Sequence, residues 1–453
     1  MRRLGYRVVD LVVEHLSTRN GSPAILCASA ETLFSQLGGS LPELPGDADA
    51  NLELLAHVAL AHQQHSDHPR YFARVPGPSS YAAILGEWLA TGFNSIAASW
   101  AGGSGPTSVE LVVVDWLRDI LHLPLTTEGV FVSGGSLANL TAISAARAKC
   151  GIGVVYLSDQ THSSVNRALQ QMNFPSELIR VLESDPNLRM PADGLETVIR
   201  DDLAHGRTPM MVVATAGTTN SGAIDPLDAI ASLCRYYDLW LHVDGAYGAP
   251  AAFCPEGHQL LSGIELADSI AIDPHKWLFQ PYDIGCTLVT RPGALEGAYA
   301  MNPEYLKDVM ARPGEVDLRN RSLELSRRSR AIKLWMTFRT YGIGRIREAI
   351  QAGMNLAHYA EAVLRESPEV WEVVTGAQLG IVTFRFKGGT QRDHEFSAQS
   401  LSDSGYAAVT STSLKGASVL RLCTINPLTT ENDIRQTLAS LADYHHKICR
   451  EPA

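Results

Sequence analysis

The chain has 453 residues, a length that allows two or three domains and a large buried core. Its formal net charge of -11 argues against nucleic acid or an anionic membrane as a partner. No stretch approaches the roughly 18 uninterrupted apolar residues of a transmembrane helix. Seven scattered cysteines without a CxxC pair predict reduced thiols and a cytoplasmic location.

Three regions follow one another along the chain. Residues 1–65 show helical periodicity without a core of their own, which predicts an amino-terminal helical arm. Residues 66–345 alternate short apolar strands with helices from about residue 107 onward. This alternation predicts an α/β fold with a mostly parallel central sheet and helices on both faces. Residues 346–453 predict a small α+β carboxy-terminal domain.

Two charged residues directly follow apolar strands. Lys276, in AIDPHKW, comes after the strand SIAI, where burial is expected to lower the pKa of a lysine and make its amine a nucleophile. Asp244 follows LWLHV, where a carboxylate needs a cationic partner such as a protonated pyridine nitrogen. The alternatives are a lysine on a surface turn and an aspartate that caps a turn.

Three turns come at the ends of other predicted strands. In SGGSLAN, the backbone of Gly135 and the hydroxyl of Ser136 begin a helix and suit a phosphate group. His162 follows VVYLS and can stack on an aromatic ring, and Thr219 in ATAGTTNSG offers a hydroxyl. Each also has an ordinary explanation as a tight turn, a hydrogen-bonded loop histidine or a turn threonine. Ligands of such sheets bind at the carboxyl ends of strands, which favours one common site.

Four histidines crowd the segment HVALAHQQHSDHP. They are His57, His62, His65 and His68. Only Asp67 stands near them as a carboxylate ligand, so this segment predicts a solvated helical face and no metal site.

The order of these segments, with DPHKW, HVDGAY and DHPRYF, resembles the group II pyridoxal 5'-phosphate (PLP)-dependent decarboxylases. That family includes the aromatic-L-amino-acid decarboxylases and the glutamate decarboxylases, and the resemblance covers nearly the whole chain. It implies the type I PLP fold, which is aspartate-aminotransferase-like, and an obligate homodimer with active sites at the subunit interface. It also implies decarboxylation of an L-amino acid with an aromatic or bulky side chain, through an external aldimine and a quinonoid.

The resemblance assigns roles around the cofactor. It implies that Lys276 binds PLP as a Schiff base, that Asp244 pairs with the pyridine nitrogen and that His162 stacks above the ring. The other residues implied at the cofactor are Gly135 and Ser136 at the phosphate, Thr219 at its side, Ala246 below the ring and His275 beside the lysine.

The resemblance also implies a set of substrate positions, which are Arg74, Gly77, Ile96, Ala98, Leu318 and Arg421. Arg421 matches an arginine that meets the substrate α-carboxylate in the glutamate branch. Ile96 and Ala98 match positions that the partner subunit contributes, and Ala98 replaces a bulky aromatic residue. Gly77 replaces a threonine of the aromatic branch. Arg74 replaces an aromatic residue, and it either meets an acidic side chain or points to solvent.

One position departs from the family in a way that affects the product. Aligning backward from RRSRAIKLW without a gap puts Leu318 where aromatic decarboxylases carry a mobile-loop tyrosine that serves protonation of the product carbon. In the family, loss of this acid is associated with aldehyde formation by reaction with O2. Three hypotheses follow: an amine-forming decarboxylase, a decarboxylation-dependent aldehyde synthase, and a non-catalytic PLP-fold binding protein. Intact Lys276, Asp244 and His162 argue against the third.

Overall fold

The computed structural model describes residues 1–301 and 311–450, with side chains described through residue 447. The chain forms two compact units. The larger comprises residues 77–357 and 377–382, and the smaller comprises residues 1–76, 358–376 and 383 onward. The smaller unit therefore groups the amino-terminal segment with carboxy-terminal segments. The predicted division at residues 65 and 345 stays a prediction.

Helices cover much of the described chain. The α-helices are α1 (Arg2–Thr18), α2 (Ala30–Leu37), α3 (Ala48–Leu54), α4 (Tyr81–Gly92), α5 (Trp100–Ile120), α6 (Gly135–Cys150), α7 (Ser163–Gln171), α8 (Ala192–Ala204), α9 (Leu227–Tyr236), α10 (Pro255–Leu260), α11 (Ala294–Tyr299), α12 (Ala331–Glu366), α13 (Gln391–Asp403) and α14 (Glu431–Arg450). Among the described residues, none of these helices combines the length and the apolar character needed to cross a membrane.

The strands form two sheets. They are β1 (Glu128–Val132), β2 (Val154–Ser158), β3 (Ile179–Leu182), β4 (Pro209–Thr215), β5 (Trp240–Asp244), β6 (Ser269–Ile272), β7 (Gly285–Val289), β8 (Trp371–Gln378), β9 (Ile381–Phe386), β10 (Thr410–Leu414) and β11 (Ala417–Cys423). The larger sheet has the order β1-β7-β6-β5-β4-β2-β3, and the smaller has the order β10-β11-β9-β8.

The larger sheet is parallel from β3 through β2, β4 and β5 to β6, and β7 runs antiparallel to both β6 and β1. Strands β2, β5, β6 and β7 are buried along their whole length, which explains why they read as continuous apolar runs. The predicted α/β class with a mostly parallel central sheet is confirmed.

Strand register brings the carboxyl ends of three strands together. Thr215, the last residue of β4, is the register partner of Asp244, the last residue of β5. Asp244 in turn pairs with Ala271 of β6, and the segment that bears Lys276 begins directly after this strand. The sheet therefore delivers these polar residues to one edge.

The smaller unit contains the four-stranded sheet's antiparallel pair β10 and β11, in which Thr410 faces Arg421. Helices α13 and α14 belong to this unit as well. Helices α1, α2 and α3 contain no buried residue. The predicted amino-terminal helical arm stays a prediction.

Candidate functional site

A cavity of about 400 Å³ lies within the larger unit at the carboxyl ends of its strands. This volume is within the range of small-molecule and cofactor sites. All eight residues predicted at a cofactor line it: Gly135, Ser136, His162, Thr219, Asp244, Ala246, His275 and Lys276. The structure thus brings together side chains that are far apart in the sequence, while the role of each stays a prediction.

The amine of Lys276 has a close acidic partner. Its Nζ lies 2.8 Å from Oδ2 of Asp273, which also lines the cavity. Burial lowers the pKa of Lys276, but attraction and hydrogen bonding to Asp273, with a further attraction to Asp244, outweigh burial and raise that pKa. The expectation that burial leaves Lys276 with a lowered pKa is therefore wrong, because the carboxylate three residues earlier stabilises the ammonium.

Asp244 is a buried carboxylate with two fixed donors. Its side chain accepts from Nδ2 of Asn139 at 2.9 Å and from the backbone N–H of Ala246 at 3.1 Å, and the residue is only 5% exposed. A carboxylate in such surroundings is stabilised by a cation, and it remains at the cavity wall where a cationic ligand atom can reach it.

A glycine-rich turn leads into the 16-residue helix α6 at the same cavity. A Cβ at Gly135 would lie 2.6 Å from Oδ2 of Asp273, and one at Gly134 would lie 3.3 Å from Cε1 of His275. Glycine is therefore needed here, because the helix start approaches the lysine-bearing segment closely. The first backbone N–H groups of α6 and the hydroxyl of Ser136 form a set of donors suited to a phosphate group.

Two further observations bear on whether PLP fits. Oγ1 of Thr215 lines the cavity and is buried without a hydrogen-bond partner, a condition that a polar ligand relieves. His162 caps helix α7, with its Nδ1 accepting from the backbone N–H of Ser164. Helix-start donors, a buried carboxylate and an amine around 400 Å³ match the phosphate, the pyridine nitrogen and the aldehyde of PLP. The residues present therefore fit this cofactor.

Gly77 packs against the lysine-bearing segment. A Cβ at this position would lie 2.7 Å from the carbonyl oxygen of His275 and 2.8 Å from the hydroxyl of Tyr282. The ring of Tyr282 in turn lies 4.7 Å from the ring of His275, measured between centroids. The threonine that the aromatic branch carries here has no room in this chain, because Tyr282 takes up the space.

The other predicted substrate positions of the larger unit lie apart from the lining of the cavity. Ile96 is 40% exposed and Ala98 is 7% exposed. Leu318 is fully buried in a short 3-10 helix, Leu318–Asn320, and the next residue, Arg319, donates its backbone N–H to the carbonyl of Ala98. Burial in a regular turn disfavours the hypothesis that Leu318 takes the place of a mobile-loop residue.

Arg74 and Arg421 belong to the smaller unit. Nη1 of Arg421 donates to the backbone carbonyl of Arg74 at 2.6 Å, and Arg421 is 3% exposed. Arg421 lies in strand β11, and this hydrogen bond fixes the orientation of its guanidinium. The roles of both arginines toward a substrate stay predictions.

The predicted absence of a metal site also stays a prediction. Among the described residues, His15, His65 and Asp67 bring three potential ligand atoms within 4.8 Å of one another. Nε2 of His15 lies 2.9 Å from Oδ2 of Asp67, and Nη1 of Arg19 lies 3.7 Å from the same oxygen. The cation of Arg19 beside this carboxylate disfavours a metal ion there.

Several residues that line the cavity were not predicted from the sequence. They are Asn139, Ser164, Thr215, Tyr247 and Asp273. Asp273, Asn139 and Tyr247 belong to the motifs DPHK, SGGSLAN and HVDGAY, so proximity to Lys276, to the helix start and to Asp244 was the available signal. The stacking of the Tyr247 ring on Trp277, at 5.3 Å between centroids, is visible only in the folded chain.

The fold and the cavity define a class of protein. A mostly parallel sheet with a lysine, a buried carboxylate and a glycine-rich helix start at one strand edge is the arrangement of type I PLP enzymes. The profile of the pyridoxal-dependent decarboxylase conserved domain matches residues 33–387. The chain therefore belongs to the pyridoxal-dependent decarboxylase family, and it is a PLP-dependent carboxy-lyase.

Known proteins similar to this chain include both amine-forming and aldehyde-forming enzymes. The aromatic-L-amino-acid decarboxylase of Bacillus atrophaeus is 42% identical over 454 residues, which cover 97% of this chain and 94% of that protein. The phenylacetaldehyde synthase of Arabidopsis thaliana is 32% identical and covers 96% of this chain and 94% of its own length. The structure of Oryza sativa TDC with PLP and tryptamine superposes with a TM-score of 0.93 at 29% identity, covering 99% of this chain and 98% of that one.

Proposed function

We propose that the protein converts an aromatic L-amino acid to its amine and CO2, with PLP attached to Lys276. The observation that carries the proposal is the single cavity lined by Lys276, Asp244, His162 and the helix start at Gly135. The similarity to the Bacillus enzyme over 97% of this chain supports an aromatic substrate.

When bound, PLP supplies an electron sink for the bond that breaks as CO2 leaves. The Asp244 carboxylate, which is buried and accepts from Asn139 and Ala246, would keep a proton at the pyridine nitrogen. The start of α6 would bind the phosphate, and His162 would contact the ring. Asp273 accepts from the Lys276 ammonium and thereby orients the amine and holds its proton.

A homodimer in the cytoplasm completes the proposal. Ile96 is 40% exposed in one chain, as expected of a residue that reaches the site of a partner. Helix α2 exposes Phe34 to 75%, and a second copy of the chain is the cover that the family resemblance implies for such apolar residues. The free state of the described cysteines, Cys27, Cys150, Cys234, Cys254, Cys286 and Cys423, supports a reducing compartment.

An aldehyde synthase is the second candidate, because a phenylacetaldehyde synthase is 32% identical over 96% of this chain. That reaction consumes O2 and water and releases aldehyde, CO2, ammonia and H2O2. The argument for it from the sequence depended on Leu318, and full burial of this residue weakens that argument.

The test is a set of L-amino acids, tryptophan, tyrosine, phenylalanine and glutamate, incubated with the purified protein and PLP under air and under nitrogen. We expect an aromatic substrate to yield amine and CO2 in equal amounts in both atmospheres, and Lys276→Ala to lose the absorbance of bound cofactor. Aldehyde with H2O2 under air would establish the second candidate. Absence of a lysine-dependent chromophore in the unmodified protein would overturn both.

A further inference from the structure

A chain of hydrogen bonds runs behind the cavity, through residues that the proposed function does not use. On the sheet side, Nε1 of Trp240 lies 2.8 Å from Oγ of Ser269, which lies 2.9 Å from Nδ1 of His242. Nε2 of His242 lies 2.9 Å from Oδ1 of Asn139. Trp240, His242 and Asn139 are all buried, so water does not compete for these bonds.

On the cavity side, the amide of Asn139 has two acceptors. Its Nδ2 lies 2.9 Å from Oδ2 of Asp244 and 2.9 Å from Oγ of Ser164. Oγ of Ser164 lies 2.8 Å from Nδ1 of His162. Asn139 therefore connects two residues of the cavity wall: it donates to the carboxylate of Asp244 directly, and it contacts the imidazole of His162 through Ser164.

The two ends of this series of hydrogen bonds, Trp240 and Asp244, both require the same assignment of donors and acceptors between them. An indole N–H only donates, so Ser269 accepts from Trp240 and gives its own proton to Nδ1 of His242. His242 then carries its proton on Nε2 and donates to Oδ1 of Asn139. From the other end, an ionised Asp244 only accepts, which requires the NH2 group of Asn139 to face it and Oδ1 to face His242. Both N–H donors of the amide are then used, and its oxygen accepts from His242.

The state of His242 agrees with this direction. Burial lowers the pKa of His242 to about 4, against smaller opposing contributions from the attraction to Asp244 and from hydrogen bonding to the backbone of Ser269. At neutral pH the ring is therefore uncharged and has one donor and one acceptor nitrogen, as the chain requires.

We propose that Asn139 is a positioning residue whose amide, oriented by Trp240, Ser269 and His242, holds Asp244 as an acceptor and links it through Ser164 to the imidazole of His162. Because Oγ of Ser164 accepts from Asn139, its hydroxyl proton goes to Nδ1 of His162, which also accepts from the backbone N–H of Ser164. One buried amide thus helps to hold both residues in place. The inference rests on the proposed function only in assigning PLP to this cavity.

The test compares PLP affinity and the absorbance spectrum of bound PLP across two pairs of variants. Asn139→Leu and Asn139→Asp both remove the donor to Asp244 at similar volume. His242→Gln retains a donor at the place of Nε2, and His242→Leu removes it. Tyr156→Phe is the control, since it deletes an equally buried hydrogen bond, 3.0 Å to Asp202, that does not involve the cavity.

A hydrogen bond to a charged group is worth roughly 1.5–3 kcal/mol, which corresponds to a ten- to hundred-fold change in affinity. We expect this loss of PLP affinity, with a shifted absorbance band, in both Asn139 variants and in His242→Leu. We expect His242→Gln and Tyr156→Phe to bind and absorb as the unmodified protein does. The difference between His242→Gln and His242→Leu carries the test if the Asn139 variants fail to fold.

Equal affinity and spectra in His242→Gln and His242→Leu would overturn the inference. So would Asn139 variants that lose thermal stability but bind PLP like Tyr156→Phe, since that pattern reports a structural role alone. Failure of the unmodified protein to form a lysine-bound chromophore is a different outcome, because it contradicts the proposed function itself.

Discussion

Nζ of Lys276 and Oδ2 of Asp273 lie 2.8 Å apart within a single turn, in which the backbone N–H of Lys276 also donates to the carbonyl of Asp273. Because Asp273 is the main reason why the pKa of Lys276 is raised in spite of burial, Asp273→Asn should lower that pKa. The cofactor-free variant should then react with PLP at lower pH than the unmodified protein. The measurement is the rate of chromophore formation against pH.

Glu196→Gln is the matched control for this prediction. It also removes a carboxylate from an ion pair, with Arg200, but on helix α8 rather than at the cavity. It should leave the pH profile unchanged. A profile for Asp273→Asn that coincides with this control would show that Asp273 does not govern the lysine.

Gly77→Ala should destabilise the fold. The added Cβ would lie within 2.8 Å of both the His275 carbonyl and the Tyr282 hydroxyl, and overpacking of this kind typically costs about 1–3 kcal/mol. Gly297→Ala, in helix α11 with nothing within 4 Å of its Cβ, should not be destabilising. Chemical denaturation of both variants checks this. Equal denaturation midpoints would contradict the prediction and would mean that His275 and Tyr282 shift to accommodate the added Cβ.

The composition of the cavity wall could be predicted because its residues directly follow apolar strands. Thr219, Asp244 and Lys276 each come after such a strand, and parallel strands deliver their carboxyl ends to one edge. The antiparallel direction of β7 is not visible in its sequence, since a short buried strand reads as the same apolar run in either direction.

What could not be predicted depends on contacts across the fold. Burial was expected to lower the pKa of Lys276, but this pKa is raised because the side chain of Asp273 attracts the ammonium and hydrogen-bonds to it. The contact of Gly77 with Tyr282, and that of Asn139 with His242, join segments more than 100 positions apart. A single sequence carries no signal for such pairs.

A second buried histidine, His68, should make stability depend on pH. Its Nε2 lies 3.1 Å from the carbonyl of Ser22, and its Nδ1 accepts from the backbone N–H of Arg70. Burial, together with repulsion from the charge of Arg70, lowers the pKa of His68 from 6.5 to about 4, although the hydrogen bond to Ser22 opposes this shift. The unfolded chain then binds more protons between these values. The free energy of unfolding should fall as pH decreases from 6.5 toward 4, by up to about 3 kcal/mol for this group.

His68→Gln should flatten this pH dependence, because glutamine keeps a donor for Ser22 and takes up no proton. The dependence should not vanish, since burial also lowers the pKa of His242 to about 4. Denaturation at a series of pH values measures the slope, with His205→Gln, on the exposed end of α8, as the control. A slope in His68→Gln equal to that of the control would contradict the assignment.

Arg421 should matter more than Arg74 for an aromatic substrate. If Arg421 binds the α-carboxylate, Arg421→Ala should lower kcat/KM about ten- to hundred-fold, the worth of one charged hydrogen bond. Arg421→Lys should recover only part of this, since lysine lacks the planar fork. Thermal midpoints are needed alongside, because Arg421 also donates to the Arg74 carbonyl.

Arg74→Ala is the companion variant, and it should leave the kinetics for aromatic amino acids unchanged. A loss of activity toward glutamate alone would instead support an acidic side chain as the partner of Arg74. Unchanged kinetics in Arg421→Ala would remove Arg421 from the substrate site.

Leu318→Tyr should not change the product. Leu318 is fully buried beside the Arg319–Ala98 backbone bond, so a tyrosine there should overpack the interior at a cost of about 1–3 kcal/mol rather than supply a proton. The comparison is the ratio of amine to aldehyde under air, measured with H2O2 release. If the unmodified protein forms aldehyde and Leu318→Tyr forms amine, this prediction is wrong, and Leu318 does stand at the position of the family's loop tyrosine.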